Sequence, residues 1–153
     1  MQTIAITYEL EELNSVANKV LEYLNSKVIV INGMMGAGKT TLINALIKAM
    51  NSEDVATSPT FSIVNEYRLP NDRVYHFDFY RIETIEEAYN FGVEDYLNTD
   101  NWIFIEWAER VEELVPLDAQ KIDIEILEDN KRTLKLTINK SITEDKAMTE
   151  PKF

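Results

Sequence analysis

The feature that most constrains the fold is a short apolar run that leads into a glycine-containing loop. Val28–Ile31 is a continuous run of β-branched residues, which is typical of a strand buried on both faces. The segment Gly33–Thr40 follows with the sequence GMMGAGKT. Apolar residues then recur at helical spacing from Thr40 to Met50. A strand, a loop and a helix in this order indicate an α/β sheet that is parallel at its centre.

The loop itself matches the P-loop pattern G-x-x-x-x-G-K-[ST] at all of its fixed positions. Glycines let the backbone fold around a phosphate with its N–H groups pointing inward, and the following helix adds its positive N-terminal end. In this chemistry Lys39 bridges the β- and γ-phosphates of ATP and the Thr40 hydroxyl coordinates Mg²⁺. The residues predicted to contact the nucleotide here are Gly33, Gly36, Ala37, Gly38, Lys39, Thr40 and Thr41.

Two further apolar runs end in a carboxylate, the group that a P-loop site usually takes from a neighbouring strand to hold Mg²⁺. Val74–Asp78 and Trp102–Glu106 both have this form. The run before Glu106 is uniformly apolar, which favours a central strand beside the P-loop strand. The run before Asp78 is mixed and resembles a switch strand at the edge of a cleft. Either acid could instead only cap a loop or a helix.

The other elements are inferred from periodicity and turn signals. We predict a helix over Glu9–Leu24 capped by Thr7, and short helices over Glu83–Tyr96 broken near Gly92. We predict strands over Phe61–Tyr67 and Arg73–Tyr80 around a turn at Pro70–Asp72. The last predicted element is a hairpin with its loop at Glu128–Arg132, whose two strands carry Ile122, Ile124, Ile126 and Leu134, Leu136, Ile138. The pattern predicts a three-layer α/β fold of the P-loop NTPase type, with a mixed sheet and antiparallel edge strands. Residues 1–140 are predicted to form one domain, and residues 141–153 a flexible tail.

Composition limits the partners and the compartment. The 15 basic and 27 acidic residues give a net charge of −12, so the chain should repel a free RNA backbone and reach RNA only through a partner. An acidic surface also simply favours solubility, and that alternative stays open. The chain has no cysteine, and its N-terminal residues have no signal-peptide pattern. We therefore expect a cytoplasmic protein without a membrane segment.

With these residues identified, the sequence resembles the TsaE (YjeE) family of bacterial ATPases, which support threonylcarbamoyladenosine synthesis in transfer RNA. The matching segments are Gly-Ala-Gly-Lys-Thr-Thr at Gly36–Thr41, Ser-Pro-Thr-Phe at Ser58–Phe61, Tyr-His-Phe-Asp at Tyr75–Asp78 and Glu-Trp at Glu106-Trp107. Phe91–Tyr96 is also similar to a family segment. The resemblance spans about Leu10 to Ile138, and this ordered set of segments is far more specific than a P-loop alone.

The resemblance implies a Mg²⁺-dependent ATPase that is weak alone and acts with TsaB and TsaD, meeting tRNA only through that complex. By matching position, Thr40 and Glu106 are the Mg²⁺ ligands and Asp78 is the switch acid. Thr60 then lies in a mobile loop that faces the γ-phosphate, Trp107 lies close to the nucleotide, and Arg132 lies near the base. From the residues alone, Thr60 could be a turn residue after Pro59, and Trp107 could be a core residue.

Other functions remain open from the residues alone. A P-loop kinase for a small metabolite would usually carry an arginine-rich lid, whereas the arginines here are scattered along the chain. A GTPase is disfavoured because Asn139–Ile142 lacks the final Asp of a guanine-reading motif. A nucleotide-gated binding module with incidental turnover is a further alternative. His76, the single histidine, is expected to be a packed strand residue rather than a catalytic base.

Overall fold

A seven-stranded sheet with helices on both faces organises the chain. The computed structural model describes residues 2–34, 36–54 and 63–138. The strands are β1 (Gln2–Tyr8), β2 (Val28–Asn32), β3 (Val64–Arg68), β4 (Arg73–Asp78), β5 (Trp102–Glu106), β6 (Gln120–Ile126) and β7 (Arg132–Ile138). The helices are α1 (Leu13–Tyr23), α2 (Lys39–Ala49), α3 (Ile85–Phe91) and α4 (Val93–Leu97), with 3₁₀ turns over Leu10–Glu12 and Ala108–Leu114.

The order of strands in the sheet is β1-β7-β6-β2-β5-β4-β3. The four central strands β6, β2, β5 and β4 are parallel to their neighbours within this group. Strand β3 pairs antiparallel with β4, β7 pairs antiparallel with β6, and β1 pairs antiparallel with β7. The predicted mixed sheet with a parallel centre and antiparallel edges is therefore confirmed.

Strand β2 shows why the fold has three layers. Ile29 and Ile31 pack into a core with side chains of α1 and α2 on one face of the sheet. Val28 and Val30 pack on the opposite face with residues of α3, α4 and the 3₁₀ segment before β6. Burying each of these side chains stabilises the fold by about 1.5–3 kcal/mol relative to leaving it exposed. A strand that is apolar on both faces is thus held at the centre of the sheet.

The predicted start of the first helix is wrong. Thr7 does not cap α1 but lies inside β1, where its Oγ1 is 3.1 Å from Oγ1 of Thr133 on β7. Helical structure begins only after Glu9, whose backbone N–H donates to Oε1 of Glu12 at 2.9 Å. This reciprocal capping box satisfies the backbone groups that Thr7 was expected to satisfy.

The remaining boundaries agree with the predictions to within a few residues. The strand that contains Asp78 ends at that residue, and the helical segment breaks at Gly92, whose φ of 89° needs glycine. Arg132 is the first residue of β7 and pairs with Ile126, so it belongs to the hairpin strand and not to its loop. The first two residues of the predicted strand Phe61–Tyr67 and the predicted tail, 141–153, lie outside the described residues. None of the helices within the described ranges is long and apolar enough to cross a membrane.

Candidate functional site

The loop between β2 and α2 requires glycine for two different physical reasons. Gly36 and Gly38 have φ values of 84° and 99°, in the left-handed region that side chains with a Cβ rarely adopt. Gly33 is favoured by crowding, because a Cβ at this position would lie 3.1 Å from the carbonyl oxygen of Ile124 on β6, a tight contact that the strand would have to relieve. The loop is therefore shaped both by its own backbone and by the strand beside it.

Helix α2 begins directly after this loop, and no acidic side chain lies in its first turn. Its N-cap is Gly38, which provides no side-chain cap. The first turns of α3 and α4 in contrast carry pairs of acidic residues. Since the N-terminal end of a helix is positive, an anion is the natural partner for α2.

Lys39, the first residue of α2, is held at the end of β5. Its side chain is buried, and its Nζ lies 4.3 Å from the centroid of the Trp107 ring, a favourable cation–π distance. Trp107 has a left-handed backbone, with φ of 60°, and its ring packs against Tyr80 at 4.8 Å. The structure therefore brings the P-loop lysine and the predicted nucleotide-proximal tryptophan into direct contact.

The two strand-end acids lie side by side in different surroundings. Asp78 and Glu106 are paired in register at the carboxyl ends of β4 and β5. Glu106 is only 3% exposed, and its Oε2 lies 2.5 Å from Nε2 of His76. Asp78 is half-buried, and its Oδ1 accepts the backbone N–H of Tyr80 at 3.0 Å.

The charges around Asp78 define a single electrostatic cluster. Burial is the main reason that the pKa of Asp78 is raised above its ordinary value. The Tyr80 N–H lowers the pKa, the neighbouring Glu106 raises it, and His76 and Lys39 lower it to a smaller extent. Because the raising effects are larger, the Asp78 carboxyl in the folded chain holds its proton more tightly than a free aspartate side chain does.

Arg132 approaches the loop from the antiparallel side of the sheet. Its Nε donates to the carbonyl oxygen of Ala37 at 3.1 Å, and its Nη1 donates to the carbonyl of Asn130 at 3.2 Å. The same Nε lies 3.3 Å from the position that a Cβ would take on Gly38. Arg132 thus supports the backbone of the P-loop itself, while its predicted proximity to the base stays a prediction.

Most of the predicted site residues meet at one edge of the sheet. Gly33 and the residues from Gly36 to Thr41 lie in the loop and the first turn of α2, with Asp78, Glu106 and Trp107 at the adjacent strand ends. Thr60 lies outside the described residues. The sequence prediction missed His76 as part of the site. Its position two residues before Asp78 puts it on the same face of β4, but only the side-chain hydrogen bond in the structure shows that it reaches Glu106.

The donor groups at this edge fit a bound Mg²⁺. In phosphate-binding sites Mg²⁺ takes one or two carboxylates and completes its shell with phosphate oxygens and waters. The Thr40 hydroxyl, in the first turn of α2, and the Glu106 carboxylate are hard oxygen donors of this kind. Within residues 2–34, 36–54 and 63–138 no group of three or more His, Cys, Asp or Glu side chains is placed to hold a metal.

The sheet, the loop and the helix that follows it define an α/β protein of the P-loop NTPase type. Residues 7–135 match the family model for the threonylcarbamoyl adenosine biosynthesis protein TsaE. This match covers most of the chain, so the chain belongs to the TsaE family. The resemblance drawn from the four ordered segments is thereby confirmed.

Individual relatives agree with this assignment. The chain is 35% identical over 133 residues to the tRNA threonylcarbamoyladenosine biosynthesis protein TsaE of Rickettsia felis, covering 86% of this chain and 77% of the relative. The Bacillus subtilis protein of the same name is 31% identical over 131 residues, which are 83% of this chain and 80% of that one. A crystal structure of Bacillus subtilis YdiB has the same fold, with a TM-score of 0.70, 24% identity, and coverage of 90% and 86% of the two chains.

Proposed function

We propose that this chain binds and hydrolyses ATP with Mg²⁺ in the biosynthesis of threonylcarbamoyladenosine in tRNA. The observation that carries the proposal is the convergence of a buried P-loop lysine and two strand-end carboxylates on one edge of the sheet. The relatives named above supply the pathway, since each is called a tRNA threonylcarbamoyladenosine biosynthesis protein TsaE.

Each side chain in this site has a distinct role in the proposal. Lys39 and the backbone N–H groups of the loop bind the β- and γ-phosphates. The Thr40 hydroxyl and the Glu106 carboxylate hold Mg²⁺, which when bound neutralises charge on the phosphates. Asp78 is less buried, and among the bonds described its carboxylate accepts only the backbone N–H of Tyr80, so it can respond to the γ-phosphate as a switch.

The partners in the proposal are TsaB and TsaD. A net charge of −12 suits docking on a basic protein face, which speeds encounter and weakens as salt rises. The same charge disfavours direct contact with the tRNA backbone. We therefore expect the isolated chain not to shift free tRNA in a gel at physiological salt, and a clear shift by the chain alone would contradict indirect action.

Hydrolysis by the chain alone is expected to be slow. Three of the five arginines in the chain are engaged in described contacts: Arg73 pairs with Glu66, Arg110 donates to the carbonyl of Ile82 and Arg132 supports the P-loop. An arginine supplied to the transferring phosphate is worth about 10³–10⁵-fold in rate. We infer that the partner complex supplies or orders the missing charge.

The test is steady-state phosphate release with and without the TsaB–TsaD pair, at low and high salt. We expect at least about a 10-fold stimulation by the partners, weaker at high salt. Lys39→Ala serves as the blank for contaminating ATPase. Full turnover by the chain alone, unchanged by the partners, would favour an autonomous ATPase or a kinase.

A further inference from the structure

We propose that His76 is a positioning residue that orients the Glu106 carboxylate for Mg²⁺·ATP. This inference rests on the proposed function, because Glu106 is the proposed Mg²⁺ ligand. Apart from its electrostatic effect on Asp78, His76 reaches the proposed nucleotide site in the described contacts through Glu106, so its effect on the metal would pass through that carboxylate.

The first support is the burial of this pair. His76 is fully buried and Glu106 is only 3% exposed, yet Nε2 of the ring lies 2.5 Å from Oε2 of the carboxylate. An ionised carboxylate in such surroundings is costly unless a partner donates to it. The contact to His76 therefore fixes one oxygen of Glu106, and in the proposal the other oxygen, Oε1, is the one that binds the metal.

The second support is the continuation of the hydrogen bonds beyond the ring. Nδ1 of His76 lies 3.4 Å from the Tyr67 hydroxyl, and the Asn65 amide donates to that same hydroxyl oxygen at 3.3 Å. If the Tyr67 O–H donates to Nδ1, the proton on the imidazole must be at Nε2, facing Glu106. Strand β3 thus contributes, through β4, to the orientation of the acid that ends β5.

The expected consequence is specific to the metal. Residues that orient a metal ligand from behind typically contribute 10–100-fold to metal affinity. We expect His76→Phe, which fills the space but cannot donate, to reduce by about 10–100-fold the factor by which Mg²⁺ strengthens ATP binding. Binding of ATP in the presence of a chelator should remain within about two-fold of the wild type.

The matched variants separate orientation from packing. In His76→Gln the amide nitrogen can reach the position of Nε2, so this variant should recover most of the Mg²⁺ effect. Tyr67→Phe removes the hydroxyl behind the ring but keeps the donor to Glu106, so its effect should be smaller, about 2–5-fold, an order set by one neutral hydrogen bond. Calorimetry of ATP binding with Mg²⁺ and with chelator, beside thermal unfolding of each variant, gives these factors.

Two results would overturn the proposal. One is a His76→Phe protein that keeps the wild-type Mg²⁺ effect, and the other is an equal loss of ATP binding with and without Mg²⁺. If His76→Phe does not fold, His76→Gln and Tyr67→Phe decide the question. Wild-type behaviour in Tyr67→Phe combined with loss of the Mg²⁺ effect in His76→Gln would then count against it.

A spectroscopic readout is available because the chain contains one histidine. Nitrogen-15 labelling of histidine gives the signals of the His76 ring without assignment. We expect a protonated Nε2 in the nucleotide-free protein, and a larger change of these signals with Mg²⁺·ATP than with ATP and chelator. An unprotonated Nε2 would contradict the inference.

Different results would contradict the proposed function and the proposed role of His76. If the wild type binds no ATP in calorimetry, the proposed function is wrong. If the wild type binds ATP with a clear Mg²⁺ effect and the His76 variants match it, only the role of His76 is wrong.

Discussion

The carboxyl ends of β4 and β5 are neighbours that end in the same kind of residue and yet differ in almost every physical respect. Glu106 is buried and held by a side chain of the adjacent strand. Asp78 is half-buried and held by the backbone N–H of Tyr80 two residues further on. The Glu106 carboxylate is held by a side chain of the neighbouring strand, whereas the Asp78 carboxylate is held by the backbone just after its own strand.

The difference follows from the position of each strand. Strand β5 lies between the parallel strands β2 and β4, whereas β4 borders the antiparallel β3. The residue two before Glu106 is the apolar Phe104, and the residue two before Asp78 is His76. Strand β4 therefore carries both the half-buried Asp78 and the histidine that contacts Glu106 on the neighbouring strand. A rigid ligand and a responsive switch can thus be built from adjacent strand ends.

The largest expected effect comes from removing Lys39, the cation that acts on Asp78 at the end of β4 and contacts Trp107 directly after β5. Lys39→Ala should weaken ATP binding at least about 100-fold, since charge-assisted hydrogen bonds to two phosphates are lost. Lys48→Ala, near the exposed far end of the same helix, is the matched control and should bind ATP like the wild type. Calorimetry checks both, and near-normal affinity in Lys39→Ala would refute the P-loop assignment.

The second prediction separates the two strand ends. Glu106→Gln should reduce the gain in ATP affinity that Mg²⁺ gives, by about 10-fold or more. Asp78→Asn should leave that gain within about two-fold and lower steady-state turnover with partners by about 100-fold or more, as expected for a group used in the transition state alone. Finding the opposite assignment would mean that the two acids have exchanged roles.

The smallest effect concerns stability without nucleotide. Because the pKa of Asp78 is raised in the folded chain, its ionised form costs stability at pH values above that raised pKa, and this cost disappears as pH falls to the ordinary aspartate value of about 3.9. Asp78→Asn should therefore raise the Tm at pH 7 by about 1–3 °C, and the gain should vanish near pH 4.

Glu106→Gln provides the contrast for this measurement, since it weakens the buried hydrogen bond between the Glu106 side chain and His76. Its Tm at pH 7 should fall rather than rise. Equal shifts of the same sign in the two variants would show that the two strand ends do not differ as described.

The parts of the fold that the sequence predicts are those with local causes. The β-branched run of β2, the glycine loop and the apolar spacing of α2 are each specified within a few residues. The uniformly apolar β5 was placed beside β2, and the structure confirms that place. Alternation likewise predicted the β6–β7 hairpin, because one face of each strand is buried.

The parts that were not predicted depend on distant partners. Strand β1 is an edge strand whose partner β7 is far along the chain, as the 126 positions between Thr7 and Thr133 show. Its residue Thr7 therefore looked like a helix cap. The contact of His76 with Glu106 and that of Arg132 with Ala37 also join separate strands and loops. ATP, Mg²⁺ and the roles of Thr60 and the partners stay predictions.

Gly33 has a consequence for how P-loop signatures are interpreted in diverging relatives. A methyl group here would press on the Ile124 carbonyl of β6, whereas one on Gly36 would meet nothing within 4 Å and only strain the backbone. A descendant that lost its ligand could therefore replace Gly36 with asparagine, which adopts this backbone conformation more readily than most side chains, whereas a replacement at Gly33 would still press on β6. The first glycine can thus persist for packing alone, and the later glycines and the lysine are the better indicators of a bound phosphate.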